Sequence, residues 1–140
     1  MKREIKFRVW NPQEKTMTIV GLGSYMGFHG IAYDKVGCNN NDNVWDEYTG
    51  LKDKNGVEIY EGDIYKRILD KKCKYKKDYE WADYWLIEWY KYYACFTTTM
   101  IGENTKDGFV KRNRSINEYS KRFNEMDEVI GNIHENPELL

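Results

Sequence analysis

Three cysteines, two prolines and two histidines are all that 140 residues contain of these types, and each scarcity removes a class of explanation. Cys38, Cys73 and Cys95 are odd in number, widely spaced and without a Cys-x-x-Cys pair, so neither a disulfide framework nor a zinc site is indicated. Free thiols fit a reducing compartment, and the expected location is cytoplasmic. His29 and His134 stand apart, with no nucleophile or metal ligand at recognisable spacing. No catalytic residue, metal ligand or cofactor is therefore assigned, and an enzyme is not expected. Long hydrophobic runs are also missing. Met1-Lys2-Arg3-Glu4-Ile5-Lys6 begins basic without an apolar stretch behind it, and no run reaches the length that spans a bilayer. Neither a signal peptide nor a membrane span is expected. A formal charge of −1 supplies no global field to draw the chain to nucleic acid or to an anionic membrane.

What is present is globular material. The chain is 41% hydrophobic, 32% charged and 16% aromatic, too apolar for a disordered segment. A chain of this length fits one domain, or a compact domain with a small appended subdomain, and buries roughly two thirds of its unfolded surface. Twelve tyrosines and five tryptophans favour pleated, half-buried surfaces and interfaces over helix interiors. The expectation is a mainly β fold with a tendency to self-associate.

Residues 3–10 alternate, Ile5, Phe7 and Val9 against Glu4, Lys6 and Arg8, which is the period of a half-buried strand. Asn11-Pro12 marks a turn, and Thr16 to Val20 returns as a second strand able to form a hairpin with the first. Glycines and the cluster Asn39 to Asn43 make residues 21–43 irregular, with a short strand around Phe28 to Tyr33. The most legible stretch runs from Tyr48 to Tyr65. Asp53 and Gly56 occupy the first and last positions of a type I turn, and Asn55-Gly56 also supports a hairpin tip. Val57 and Ile59 then share one strand face, Gly62-Asp63 bends the chain again, and Ile64 to Leu69 resumes the β pattern.

Tyr84 to Thr99 alternates and ends in Thr97-Thr98-Thr99. Although Trp81, Trp85 and Trp89 also fall at helical spacing, the density of aromatic and β-branched residues favours a strand. Ser115-Ile116-Asn117-Glu118 has the form of a capping box, and Ile116, Tyr119 and Phe123 follow at helical spacing, which predicts one short helix to about Asn124. Val129, Gly131 and Ile133 form a last strand before Asn136-Pro137.

Three blocks, Glu4 to Trp10, Tyr48 to Tyr65 and Val129 to Leu140, together resemble the YopX-like family, found mostly in phages and prophages of Gram-positive bacteria. They stand in the family's order and frame the whole chain. The resemblance implies an SH3-type small β barrel with an N-terminal β extension: residues 1–46 as a hairpin and irregular extension, and residues 47–140 as the barrel domain, with one compact unit as the alternative. It implies no biochemical activity, because the family has none established. The chain departs from the family pattern at His134, where tyrosine is common, and in its Lys-rich stretch, and residues 21–45 match nothing in it.

Several groups invite a sharper reading. Lys71 to Lys77, and within it Lys72, Lys74, Tyr75, Lys76 and Lys77, together with Arg112 and Arg114, offer phosphate contacts and a base-stacking ring, the alternative being an accessory protein that binds nucleic acid. Neighbouring Asp70, Asp78, Glu80 and Asp83 dilute that charge, and solvated surface is the simpler explanation. Glu58, Glu61 and Asp63 are close in sequence, yet alternation sets Glu58 on an exposed face and Asp63 reads as a turn residue bonding its own backbone. Gly21 to Gly27 misses the dinucleotide fingerprint. Trp81, Trp85, Trp89, Tyr92 and Tyr93 read as core, with some aromatic surface left for another copy to cover. The expected function is a non-catalytic binding or self-assembling module. A homo-oligomer is the favoured partner, a host or phage protein the next, and no membrane is involved.

Overall fold

A computed structural model describes residues 4–21, 42–68, 82–92, 94–114 and 127–140. Strands β1 (Lys6–Asn11) and β2 (Thr16–Gly21) form the expected antiparallel hairpin. Its turn is closed by Asn11, whose Oδ1 accepts the backbone N–H groups of Gln13 and Glu14 at 3.0 and 3.1 Å. β3 (Val44–Lys52) pairs with the other side of β1, and β4 (Glu58–Tyr60) pairs with β3. The four-stranded sheet has the order β2-β1-β3-β4.

The β3–β4 connection confirms the predicted reversal and gives Asp53 the central part in it. Gly56 N–H donates to the Asp53 carbonyl at 3.0 Å, and Asp53 Oδ1 accepts from Asn55 and Val57, both at 2.8 Å. Gly56 takes φ +82°, which a residue with a Cβ adopts only under strain.

The second sheet is five-stranded, built from β5 (Asp63–Ile68), β6 (Ala82–Tyr90), β7 (Cys95–Thr105), β8 (Gly108–Arg114) and β9 (Asp127–Asn132) in the order β8-β7-β6-β5-β9. Every pairing is antiparallel. The tryptophan-rich segment is extended, as expected, but Tyr84 to Thr99 is not one strand: β6 ends at Tyr90 and β7 begins at Cys95, and the two pair as a hairpin. Trp85 points inward beside Tyr65 and Ile87, and with Ile59 and Met100 these residues make the core, flanked by Phe96 and Val129. Each such side chain removed from water contributes about 1.5–3 kcal/mol.

Mainly β is thus what the chain is, but the two sheets are open among the described residues. β2 and β4 bound one sheet and β8 and β9 the other, with no pairing that closes an SH3-type barrel. The chain leaves one sheet and enters the other at the corner Glu61-Gly62. Gly62 has φ +78° there, its N–H donates to Ile87 O and its carbonyl accepts Ile133 N–H, both at 2.9 Å, while Glu61 N–H donates to Glu47 O at 2.9 Å. Strands on either side of that corner bond to different neighbours and not to each other. The anticipated boundary between residues 46 and 47 falls inside β3. The predicted helix from Ser115 to Asn124 and the short strand from Phe28 to Tyr33 lie outside the described residues.

Candidate functional site

The chain's most concentrated chemistry lies where the two sheets meet. Alternation along β1 sends Lys6, Arg8 and Trp10 to one side, and on that side Arg8 stands opposite Asp46 of β3. Arg8 Nη2 and Nε donate to Asp46 Oδ2 at 2.9 and 3.2 Å, Nη1 donates to Asp63 Oδ1 at the start of β5, and Nη2 also reaches the Glu61 carbonyl at 3.0 Å. One guanidinium therefore clamps both sheets. Asp63 Oδ2 accepts the Tyr60 N–H at 2.8 Å, and the Arg8 guanidinium lies 5.0 Å from the Tyr60 ring centroid. His134, just beyond β9, brings Nε2 to 3.1 and 3.3 Å from the two Asp46 oxygens and stacks on Trp10 at 5.6 Å.

These groups are inside the protein. Asp63 and Asp46 retain 1% and 3% of their surface and Arg8 8%. Two carboxylates share one guanidinium, and His134 Nε2 lies within hydrogen-bond reach of Asp46. Burial pushes the Asp63 carboxyl up to about 6 against the pull of Arg8 and of the Tyr60 N–H, and nearby Asp46 adds to the rise. Burial also works against the Arg8 charge, but Asp63 and Asp46 outweigh it and hold the guanidinium above its ordinary value.

Two smaller clusters repeat the theme. Arg67 on β5 makes a bidentate pair with Asp127 on β9, Nε to Oδ1 at 2.7 Å and Nη2 to Oδ2 at 2.6 Å, and lies 5.5 Å from the Tyr65 ring centroid. The inward face of β5 therefore reads Asp63, Tyr65, Arg67. Lys6 Nζ and Tyr60 OH both donate to Glu58, at 2.7 and 2.9 Å, and the Lys6 hydrogen bond, followed by that of Tyr60, lowers the Glu58 carboxyl. Burial first, then the Glu58 hydrogen bond, raises the Tyr60 phenol.

Two expectations from the sequence need correction on these points, and a third holds but is incomplete. Arg8 is not on a solvent face, because a second layer covers that side of β1. Glu58 is half-buried and bonded across strands instead of exposed. Asp63 does bond its own turn, as expected, but it is also the buried partner of Arg8. Alternation reports which side a residue takes and not what lies over that side. One hint was available: the blocks that carried the family resemblance supply Arg8, Asp63 and His134 respectively. Asp53 joins the blocks again, its Oδ2 accepting Val129 N–H at 3.1 Å.

Of the proposed nucleic-acid residues, Lys72, Lys74, Tyr75, Lys76 and Lys77 lie outside the described residues. Arg112 is exposed on β8 and bonded to Glu103 Oε1 through Nε at 2.9 Å and Nη2 at 2.7 Å. Arg114 ends β8, its backbone opposite Met100. Of the aromatic cluster, Trp85 is core, Trp89 and Tyr92 are exposed at 40% and 74%, and Trp81 and Tyr93 lie outside the described residues. Gly21 ends β2, and Leu22 to Gly27 and His29 also fall outside. Among the described residues no group of three or more His, Cys, Asp or Glu is arranged to hold a metal ion, and no helix is long and apolar enough to cross a membrane.

Apolar surface does collect on the first sheet. Cross-strand register sets Met17, Trp10 and Val44 in one row, with Ile19 and Arg8 in the next. Ile19 is 61% exposed, and on the opposite side of the sheet Trp45, at 42%, meets Phe7 edge-on at 6.0 Å.

No curated protein matches the chain. Among solved structures it is similar to the crystal structure of protein EF1440 from Enterococcus faecalis, with 24% identity, 99% of each chain covered and a TM-score of 0.50, a likeness of fold. The family model described as YopX protein matches residues 6–140, which contain Arg8, Asp46, Asp63 and His134. The chain belongs to the YopX protein family.

Proposed function

We propose that this chain is a non-catalytic binding module of phage type, working in the cytoplasm of a bacterial host, that self-associates through apolar surface on its sheets. The observation that carries the reading is the exposure of large apolar side chains on strands whose polar groups are turned inward. Ile19, Val44 and Trp45 lie open on the first sheet while Arg8 and Asp46 of the same sheet are buried. Apolar surface displayed at such positions is stabilised by burial against another chain. The buried ionised groups support the same reading, since Arg8 with Asp46 and Asp63, and Arg67 with Asp127, bond to one another within the fold. The β5 to β8 meander supports an SH3-type parent architecture for residues 47–140.

The test is the mass of the full chain in solution. Light scattering from low to high micromolar concentration is expected to give at least a dimer, and a monomer throughout would overturn the reading. Affinity capture from a bacterial host, with and without nuclease, separates the other partners: loss of every partner after nuclease would favour nucleic acid, and persistence of one protein a host or phage target.

A further inference from the structure

We propose that β2 is the edge along which two copies of this chain join, antiparallel, so that their four-stranded sheets become one continuous sheet. The inference rests on the self-association proposed above and names its surface. The described strands leave four edges, and three of them carry charge. β4 has Glu58, β9 has Asp127 and Glu128, and β8 has Lys111 and Arg112. Charged residues on an edge oppose pairing with another chain. β2, Thr16-Met17-Thr18-Ile19-Val20-Gly21, has no charge and no proline, and Thr16, Thr18, Ile19 and Val20 are β-branched.

Symmetry makes the strand its own complement. A two-fold axis relating antiparallel neighbours runs normal to the sheet, so each residue meets one from the same face, and the axis passes through a residue and not between two. Centred on Thr18, it sets Met17 opposite Ile19 of the second copy and Thr16 opposite Val20. Centred on Ile19, it sets that side chain against itself and Thr18 against Val20. Neither register brings charge against charge. In the first register the row of Met17, Trp10 and Val44 runs on into Ile19 of the second copy, and in the second Ile19 is covered by its own counterpart, so both cover the most exposed large apolar side chain of this sheet. The outward N–H and C=O groups of β2 gain partners at the same time.

The experiment is sedimentation velocity on the full chain over a concentration series, with Thr18→Lys and Ile19→Lys on β2, Trp89→Ser on the second sheet as control, and an equimolar mixture of Ile19→Lys with Ile19→Glu. Thermal melting of each variant confirms that it is folded. The expected result is a wild-type dimer whose dissociation constant rises about tenfold or more in both lysine variants, as like charges come together across the axis. It stays unchanged in Trp89→Ser and is restored in the mixture. A dimer indifferent to the β2 substitutions would overturn this inference and leave self-association standing. Loss of the dimer without rescue by the mixture would also overturn it. A wild-type monomer at every concentration would overturn the self-association reading itself.

Discussion

Replacing Arg8 by methionine tests the buried junction most directly. The substitution keeps the apolar stem beside Tyr60 and deletes the donors to Asp46 Oδ2, Asp63 Oδ1 and the Glu61 carbonyl. Two carboxylates with 3% and 1% of their surface exposed then lack their guanidinium. Removing one side of a buried ion pair costs about 3–5 kcal/mol, set against a total stability of about 5–15 kcal/mol for an ordinary domain. With a urea slope near 2 kcal/mol per molar, the midpoint falls by about 2 M. The pH dependence follows from Asp63, whose folded carboxyl at about 6 lies above its unfolded value, so the folded state takes up the proton more readily. Such a group contributes its full stabilisation below pH of about 4 and loses it as pH rises through 6, a change of about 3 kcal/mol. Without Arg8 the opposing pull is gone and the carboxyl rises further. The penalty of Arg8→Met is therefore largest at pH 8 and shrinks as pH falls towards 5, where the stranded Asp63 carboxylate takes up a proton. Urea unfolding of both proteins at pH 5, 6, 7 and 8 reads this directly. A penalty under about 1 kcal/mol at pH 8, or one that grows on acidification, would refute the reasoning.

Three further outcomes are expected. Gly62→Ala forces a Cβ into φ +78° and to 3.2 Å from the Ile133 side chain, and should cost about 2 kcal/mol, read as a fall of several degrees in Tm; Gly62→Ala with Ile133→Ala should recover only the contact part. Asp53→Ala removes the acceptor of the Asn55, Val57 and Val129 N–H groups and should lower stability by about 2–3 kcal/mol, with amide exchange accelerating at those three residues first; uniform acceleration along the chain would count against it. Arg67→Met alone should cost about 3–5 kcal/mol, while Arg67→Met with Asp127→Leu should regain most of that in urea unfolding, because an apolar pair replaces a buried ionic one.

Local chemistry was legible in advance wherever the chain needs only its neighbours. Asn11-Pro12 and Asp53 to Gly56 reverse the chain by bonding their own backbone, and the alternation of residues 3–10 and of Tyr84 onward makes strands. The buried site was legible in part. Arg8, Asp63 and His134 stand in segments that carried the family resemblance and Asp46 does not, and Arg8 on an alternating strand looks the same whether water or a second sheet lies over it. The partners of Arg8 are 38 and 55 positions away, and His134 reaches Asp46 across 88. The same holds for Glu58, which was assigned to solvent and instead binds Lys6, 52 positions away.

By itself, then, the sequence determined the first hairpin, the Asp53 to Gly56 reversal, the extended character of the tryptophan-rich segment and the family, because period-two alternation and turn residues act over a few positions through sterics and local hydrogen bonds; β8 and the reversal between β6 and β7 were not legible in it. Only the tertiary structure decided which charges are buried and which apolar side chains are left outside. That outcome depends on the Glu61-Gly62 corner, where the chain passes from one sheet to the other and lays Asp63 against Arg8. Desolvation of a charge is a property of the layer above it, and no window along the chain contains that layer.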